Sequence, residues 1–178
     1  MAKKKGKVAP VQLFAKYGEF DSVEELNRAA AGLLEEGDID GLKELAKENG
    51  IDLFDVQDYI DEMSEELATP ITAALGRMKV ELEKLDGQIV NMCLFYSIFA
   101  NALITESEEV ARGIMKKGAR LKGIYDAIYD YAKKHQSGGC FCGNTTDQQD
   151  KELVKAYYTG QDINQLLDRW FGAKKQEG

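Results

Sequence analysis

Three soft ligands close together are the first candidates for chemistry: His135, Cys140 and Cys142, set in a glycine-rich stretch. Imidazole and thiolate are zinc ligands, but a structural zinc site takes four, and its cysteine pairs usually stand two to four residues apart. Here the cysteines are separated by a single residue, and the fourth ligand would have to come from Asp147 or Asp150. The set falls short of a site, and no metal or cofactor is predicted. Cys93 lies in a long apolar stretch and reads as a small core residue. Three cysteines without a secretory leader fit reduced thiols.

A second candidate is Glu36-Gly-Asp-Ile-Asp-Gly41, which has the opening of a calcium loop. Such a loop places oxygen ligands at its first, third and fifth positions, glycine at the sixth and a bidentate glutamate at the twelfth. Counting from Glu36, the twelfth position is Lys47, a cation where the main ligand belongs. The stretch reads better as helix punctuation, with Gly37 ending one helix and Asp38 capping the next. Nucleophile-and-base chemistry has no pattern to rest on. The chain has 1 histidine, no Gly-x-Ser-x-Gly, no phosphate-binding glycine loop and no His-Glu-x-x-His. No catalytic residue is predicted.

Charge carries more information. Residues 16–109 hold 23 acidic and 7 basic side chains, while residues 110–134 hold 7 basic and 2 acidic. The net charge of −8 thus joins an acidic body to a basic segment. An acidic surface suits a basic partner, such as a protein that grips nucleic acid. It is a poor surface for nucleic acid itself, whose affinity comes from neutralised phosphates. The candidate acidic face comprises Glu35, Glu36, Asp38, Asp40, Asp55, Asp58, Asp61, Glu62, Glu65 and Glu66. Within it, Asp55, Asp58, Glu62 and Glu65 have the spacing of one helical ridge. A solubilising surface is the plain alternative. A second candidate surface is basic: Arg112, Lys116, Lys117, Arg120 and Lys122. Arg112, Lys116 and Arg120 recur at four-residue intervals, which predicts a ridge that meets an acidic partner, a nucleic-acid backbone or the chain's own acidic helices.

These residues need elements to hold them. Ala, Leu, Glu and Lys dominate, Pro occurs 2 times, and alternating strand patterns are scarce. The fold class predicted is all-α, a bundle of about seven or eight helices with a central buried helix and a basic disordered tail over 1–15. Ser22 with Glu25 has the form of a capping box and opens the first helix. A second spans about 39–49. A third, over about 53–67, carries Val56, Ile60, Met63 and Leu67 inward. Thr69-Pro70 starts a fourth, whose Ile71, Leu75, Met78, Leu82 and Leu85 make a heptad seam, either internal or between two chains. The stretch 88–104 is apolar almost all round and is expected to be the central buried helix rather than a membrane span. Thr105 with Glu108 suggests another capping box, opening a long helix through Lys134 that breaks near Gly118. Two last helices are expected over about 147–159 and 161–171. The domain reading is an acidic helical region, 16–86, packed on a C-terminal helical region, 87–178.

The stretch from Lys16-Tyr-Gly-Glu-Phe-Asp through Glu36-Gly-Asp-Ile-Asp-Gly41 to Asn49-Gly-Ile-Asp52 resembles the PcfK-like family. So do Glu66-Leu-Ala-Thr-Pro70 with Ala74-Leu-Gly76. A weaker likeness covers Lys117-Gly-Ala-Arg-Leu-Lys-Gly-Ile124, Cys140 and Tyr157-Tyr158, and residues 77–105 carry none of it. The family is encoded on mobile elements of Gram-positive bacteria and includes anti-CRISPR inhibitors of the type II nuclease Cas9. The resemblance implies a non-enzymatic protein that binds Cas9 or its guide-RNA complex in the host cytoplasm. It transfers no catalytic residue and no contact surface. The alternative expectation is a conjugation or plasmid accessory protein that touches nucleic acid through the basic helix.

Overall fold

A computed structural model of the protein describes residues 13–87, 89–137 and 143–172. Among these the structure is all-α, with nine helices and no strand. They are α1 (Val23–Glu35), α2 (Ile39–Glu48), α3 (Leu53–Ile60), α4 (Pro70–Lys84), α5 (Ile89–Glu106), α6 (Glu108–Met115), α7 (Leu121–His135), α8 (Asp147–Thr159) and α9 (Ile163–Phe171).

Local chemistry fixes most of the ends. The Ser22 hydroxyl accepts from the Glu25 N–H at 3.2 Å, while the Glu25 carboxylate reaches back to the N–H of Asp21 rather than Ser22. Gly37 stops α1 with φ +72°, and the Asp38 carboxylate accepts from the Gly41 N–H at 2.8 Å to start α2. Thr69 caps α4 through the Thr72 N–H at 3.1 Å, with Pro70 in the first turn. Thr146 and Gln149 make a full capping box on α8.

The apolar residues gather into two cores. Val23, Leu26, Leu42, Leu45, Ile51, Val56 and Leu67 close the first, inside α1–α3 and the segment after them. Cys93, Tyr96, Ile104, Val110, Ile114, Leu121, Ile124 and Leu153 close the second, inside α4–α9. Each fully buried leucine or isoleucine stabilises its core by about 1.5–3 kcal/mol relative to exposure. α4 joins the two: Ala73 faces the first and Ala74 and Met78 the second. At that seam Gly50, at φ +69°, lies against Gly76 of α4, and a Cβ on either would meet the other segment's backbone.

Several sequence-based expectations need correction. The all-α bundle of about seven or eight helices is found, as nine helices among the described residues, with the stretch after Thr105 divided into α6 and α7. Thr105 caps nothing; its hydroxyl donates to the Ala102 carbonyl inside α5, and Ser107 is the N-cap of α6 without a side-chain bond. α3 ends at Ile60, not near 67, and Met63 is 77% exposed instead of lining a seam. The heptad seam of α4 is only partly internal: Met78 is buried, but Ile71 and Leu75 are exposed. α5 is not buried on most sides. It is long and apolar enough to cross a membrane by length and composition, with mean hydropathy 1.4, yet only 33% of it is buried. Phe14, assigned to the tail, is buried beneath the guanidinium groups of Arg77 and Arg120. Residues 1–12 of the expected tail lie outside the described residues.

The break between α6 and α7 was expected near Gly118, and Gly118 turns there with φ +81°. Its anchors sit on α4. Arg77 is 2% exposed and donates to the carbonyls of Met115 at 2.5 Å, Lys116 at 3.3 Å and Phe20 at 2.6 Å. The carboxylate of Glu81, 4% exposed, accepts from the N–H groups of Leu121 and Lys122 at the start of α7. Glu19 completes the joint, pairing with Arg120 at 2.6 Å and accepting from the Gly118 N–H at 2.8 Å.

Candidate functional site

The predicted acidic residues sit on three neighbouring pieces of the first core. Glu35 closes α1 and Glu36 is its C-cap, while Asp38 and Asp40 open α2. Asp55 and Asp58 lie on α3, Asp61 is its C-cap, and Glu62, Glu65 and Glu66 follow in the connection to α4. All are exposed except Asp55, which is half-buried. The ridge from Asp55 to Glu65 does not form, because the helix stops before Glu62.

That stop has a specific geometry. The Met63 N–H bonds the Asp58 carbonyl at 2.8 Å and the Glu62 N–H bonds the Tyr59 carbonyl at 3.3 Å, a Schellman ending. Its left-handed position is usually glycine; here it is Glu62 at φ +58°. The methionine that would normally fold back onto the helix points outward instead. Phe54 at the other end of α3 is 82% exposed. Two apolar side chains thus stand within the acidic set, and the sequence gives no sign of either exposure.

Two of the acidic pieces approach Tyr59. Burial lifts its hydroxyl above the ordinary tyrosine value, and the charges of Glu35 and Glu66 push in the same direction. Glu35 at the end of α1 and Glu66 after α3 are thus both near enough to Tyr59 for their charges to act on it. None of the predicted acidic side chains forms an ion pair among the described residues. Asp38 is spent on its cap, and Asp61 accepts from the Gln57 amide at 2.9 Å. The others carry their charge to solvent.

The basic set behaves differently. Its ridge is broken, because α6 ends at Met115 and Lys116 and Lys117 lie in the turn. Arg112 pairs with Glu24 and, at 2.7 Å, with Glu108. Arg120 pairs with Glu19, and Lys122 with Asp126. Arg112 and Arg120 thus hold the basic segment against residues 19–24 of the acidic region. Lys116 and Lys117 present exposed ammonium groups without an ion pair among the described residues.

A cleft of about 760 Å³ opens between α2, α3 and α4, with Ile51, Leu53, Phe54 and Val80 on its walls. Lys43, Lys47 and Lys79 on its rim are matched in number by Glu44, Asp52 and Glu83, so it favours neither sign of ion. Of the soft ligands, His135 turns its Nδ1 to the Tyr131 carbonyl at 2.9 Å and stacks on the Tyr131 ring. Cys140 and Cys142 lie outside the described residues. Cys93 is fully buried, which pushes its thiol up to about 11 and keeps it an inert core group. Among the described residues no cluster of His, Cys, Asp and Glu has the arrangement of a metal site. Compared with protein-family models, curated proteins and solved structures, the chain finds no match.

Proposed function

We propose that the protein is a non-enzymatic inhibitor that docks its acidic α1–α3 surface on the basic channel of the nuclease Cas9 or its guide-RNA complex. Such a channel is lined with cations that hold a nucleic-acid backbone. Carboxylates from Glu35 to Glu66 would occupy it and exclude target DNA or hold a nuclease domain from its cleavage position. The observation that supports this reading is the contrast between the two charged sets. Among the described residues Arg112, Arg120 and Lys122 are held in ion pairs within the chain, whereas none of the ten acidic side chains is. Exposed charge of one sign steers association with the opposite sign and sets its salt dependence. Phe54 and Met63 would supply the apolar contact that charge alone lacks.

The test is a pull-down of nuclease, with and without guide RNA and target DNA, alongside a DNA-cleavage assay at low salt. Capture and inhibition are expected, both weakened in a variant carrying D58N, D61N, E62Q, E65Q and E66Q. A protein that neither binds the nuclease nor slows cleavage at low salt overturns the proposal.

A further inference from the structure

The acidic surface leaves one other exposed region unexplained, the outer side of α5. From Ile89 to Thr105 this helix has no charged residue. Cys93, Tyr96, Ala100, Leu103 and Ile104 face the core. Leu94, Phe95 and Ile98 follow the opposite side, bordered by Asn91, Asn101 and Thr105. Ile98 is 65% exposed and Leu94 46%. On α4, across a shared groove lined by Leu75, Leu82 and Asn101 together with Lys79 and Glu83, Ile71 and Leu75 are exposed as well. These are the first two positions of the heptad seam, a pattern that asks for another helix.

We infer that this α4–α5 face is the contact between two copies of the chain, which meet through it symmetrically. Three observations select a second copy over other occupants. The first is area. Leu94, Phe95, Ile98, Ile71 and Leu75 are 38–65% exposed, which amounts to roughly 400 Å² of apolar surface, within the range of a monomer's largest patch. An interface of standard size buries about 800 Å² per partner, a little over half of it apolar, so this face supplies most of the apolar part. The second is charge. Two chains that each carry −8 repel through most of their surface; the outer side of α5 is uncharged and the groove beside it carries one cation and one anion, Lys79 and Glu83, so this face brings no net charge to the contact. The third excludes a lipid surface. Helices that lie on membranes carry basic residues beside the apolar face. α5 is flanked instead by Glu83 and Asp86 on one side and Glu106, Glu108 and Glu109 on the other, with Lys84 the lone cation between residues 83 and 109. In the dimer the antiparallel α4–α5 pairs of two copies form a four-helix contact.

Sedimentation equilibrium of the full chain at micromolar concentration tests this directly. The expected mass is twice 19.8 kDa. Ile98→Glu, at a position that contributes little to its own core, is expected to raise the dimer dissociation constant by at least about a hundredfold with an unchanged circular dichroism spectrum and melting curve. Leu94→Glu serves as a second variant with the same expected outcome. A wild-type protein of single-chain mass at these concentrations overturns the inference, as does a dimer that survives both substitutions. Flotation of the wild-type chain with phosphatidylcholine–phosphatidylglycerol vesicles, lost in Ile98→Glu, would assign the face to lipid and overturn it too.

Discussion

Arg77 and Glu81, opposite in charge and one helical turn apart on α4, form no ion pair with each other. Each serves the end of a different helix instead. Arg77 collects the carbonyls where α6 finishes, and Glu81 collects the N–H groups where α7 begins. A helix end leaves several backbone groups unpaired and carries a partial charge, negative at the C-terminus and positive at the N-terminus. The cation and the anion are therefore each at the end that suits them. Burial, with the neighbouring charge of Arg120, lowers the Arg77 guanidinium to about 10 against the opposing pull of Glu19, Glu81 and Asp21, yet it stays charged at neutral pH.

Arg77→Ala should be the most damaging substitution in the joint. It strands the carbonyls of Phe20 and Met115 and removes the cation beside Glu19, at a cost of about 3–5 kcal/mol. Arg77→Lys should recover little, because one ammonium cannot span the two carbonyl sites that the guanidinium fork reaches. Urea denaturation of the variants gives both numbers.

The carboxylates of the joint should respond to pH in opposite senses. Burial works to raise Glu19, but the Arg120 and Gly118 bonds and the nearby cations outweigh it, so its folded value is depressed. Its contribution is present above the unfolded carboxylate value and lost as pH falls through the folded one. Burial raises Glu81, so its contribution is present below the unfolded value and lost as pH rises through the raised one. Melting curves from neutral pH into the carboxylate range should show a shallower acid loss in Glu19→Gln. Glu81→Gln should be well tolerated at neutrality, since an amide oxygen still accepts from α7.

Glu62 occupies a backbone conformation that disfavours side chains. Glu62→Gly should therefore stabilise the fold by up to about 1 kcal/mol. Because it also deletes a carboxylate from the acidic surface, thermal stability and nuclease affinity should move in opposite directions. Measuring both on one preparation checks it.

Gly76→Ala should cost about 1–3 kcal/mol, since the atoms it would meet are backbone and cannot swing aside. The loss should show in equilibrium unfolding, and hydrogen exchange should place the earliest opening between α2 and α4.

Charge reversal at Glu65 and Glu66, both to lysine, should slow association with the nuclease about tenfold at low salt while changing dissociation less. Raising the ionic strength should close the gap between variant and wild type. Stopped-flow binding at two salt concentrations reads this out.

How far the fold was legible follows from how local its determinants are. Ser22, Asp38, Thr69 and Thr146 act within a turn of themselves, and the helices that they start were found where expected. The end of α3 was missed because Glu62 does without glycine what glycine usually does, leaving no signal to read. Arg77 and Glu81 look like ordinary charges on an amphipathic helix; only the arrival of α6 and α7, about forty residues further on, buries them. The outer face of α5 misled for the converse reason: apolar composition says that a surface seeks cover, not whether the same chain supplies it. For the acidic site, residue identity and exposure were readable, but the nearness of Glu35 and Glu66 to Tyr59 is a tertiary fact.

The meeting of Gly50 and Gly76 has a last consequence. With main chain against main chain, no side chain there can switch rotamer to let α1–α3 swing on α4. That backbone contact is one fixed point in the offset between the acidic surface and α5. Two copies joined through α5 would hold their acidic surfaces at one set distance and orientation, as a bivalent reagent. Whether such a pair engages one target or bridges two becomes a matter of fixed spacing, not of linker flexibility, and the stoichiometry of the captured complex would report that spacing directly.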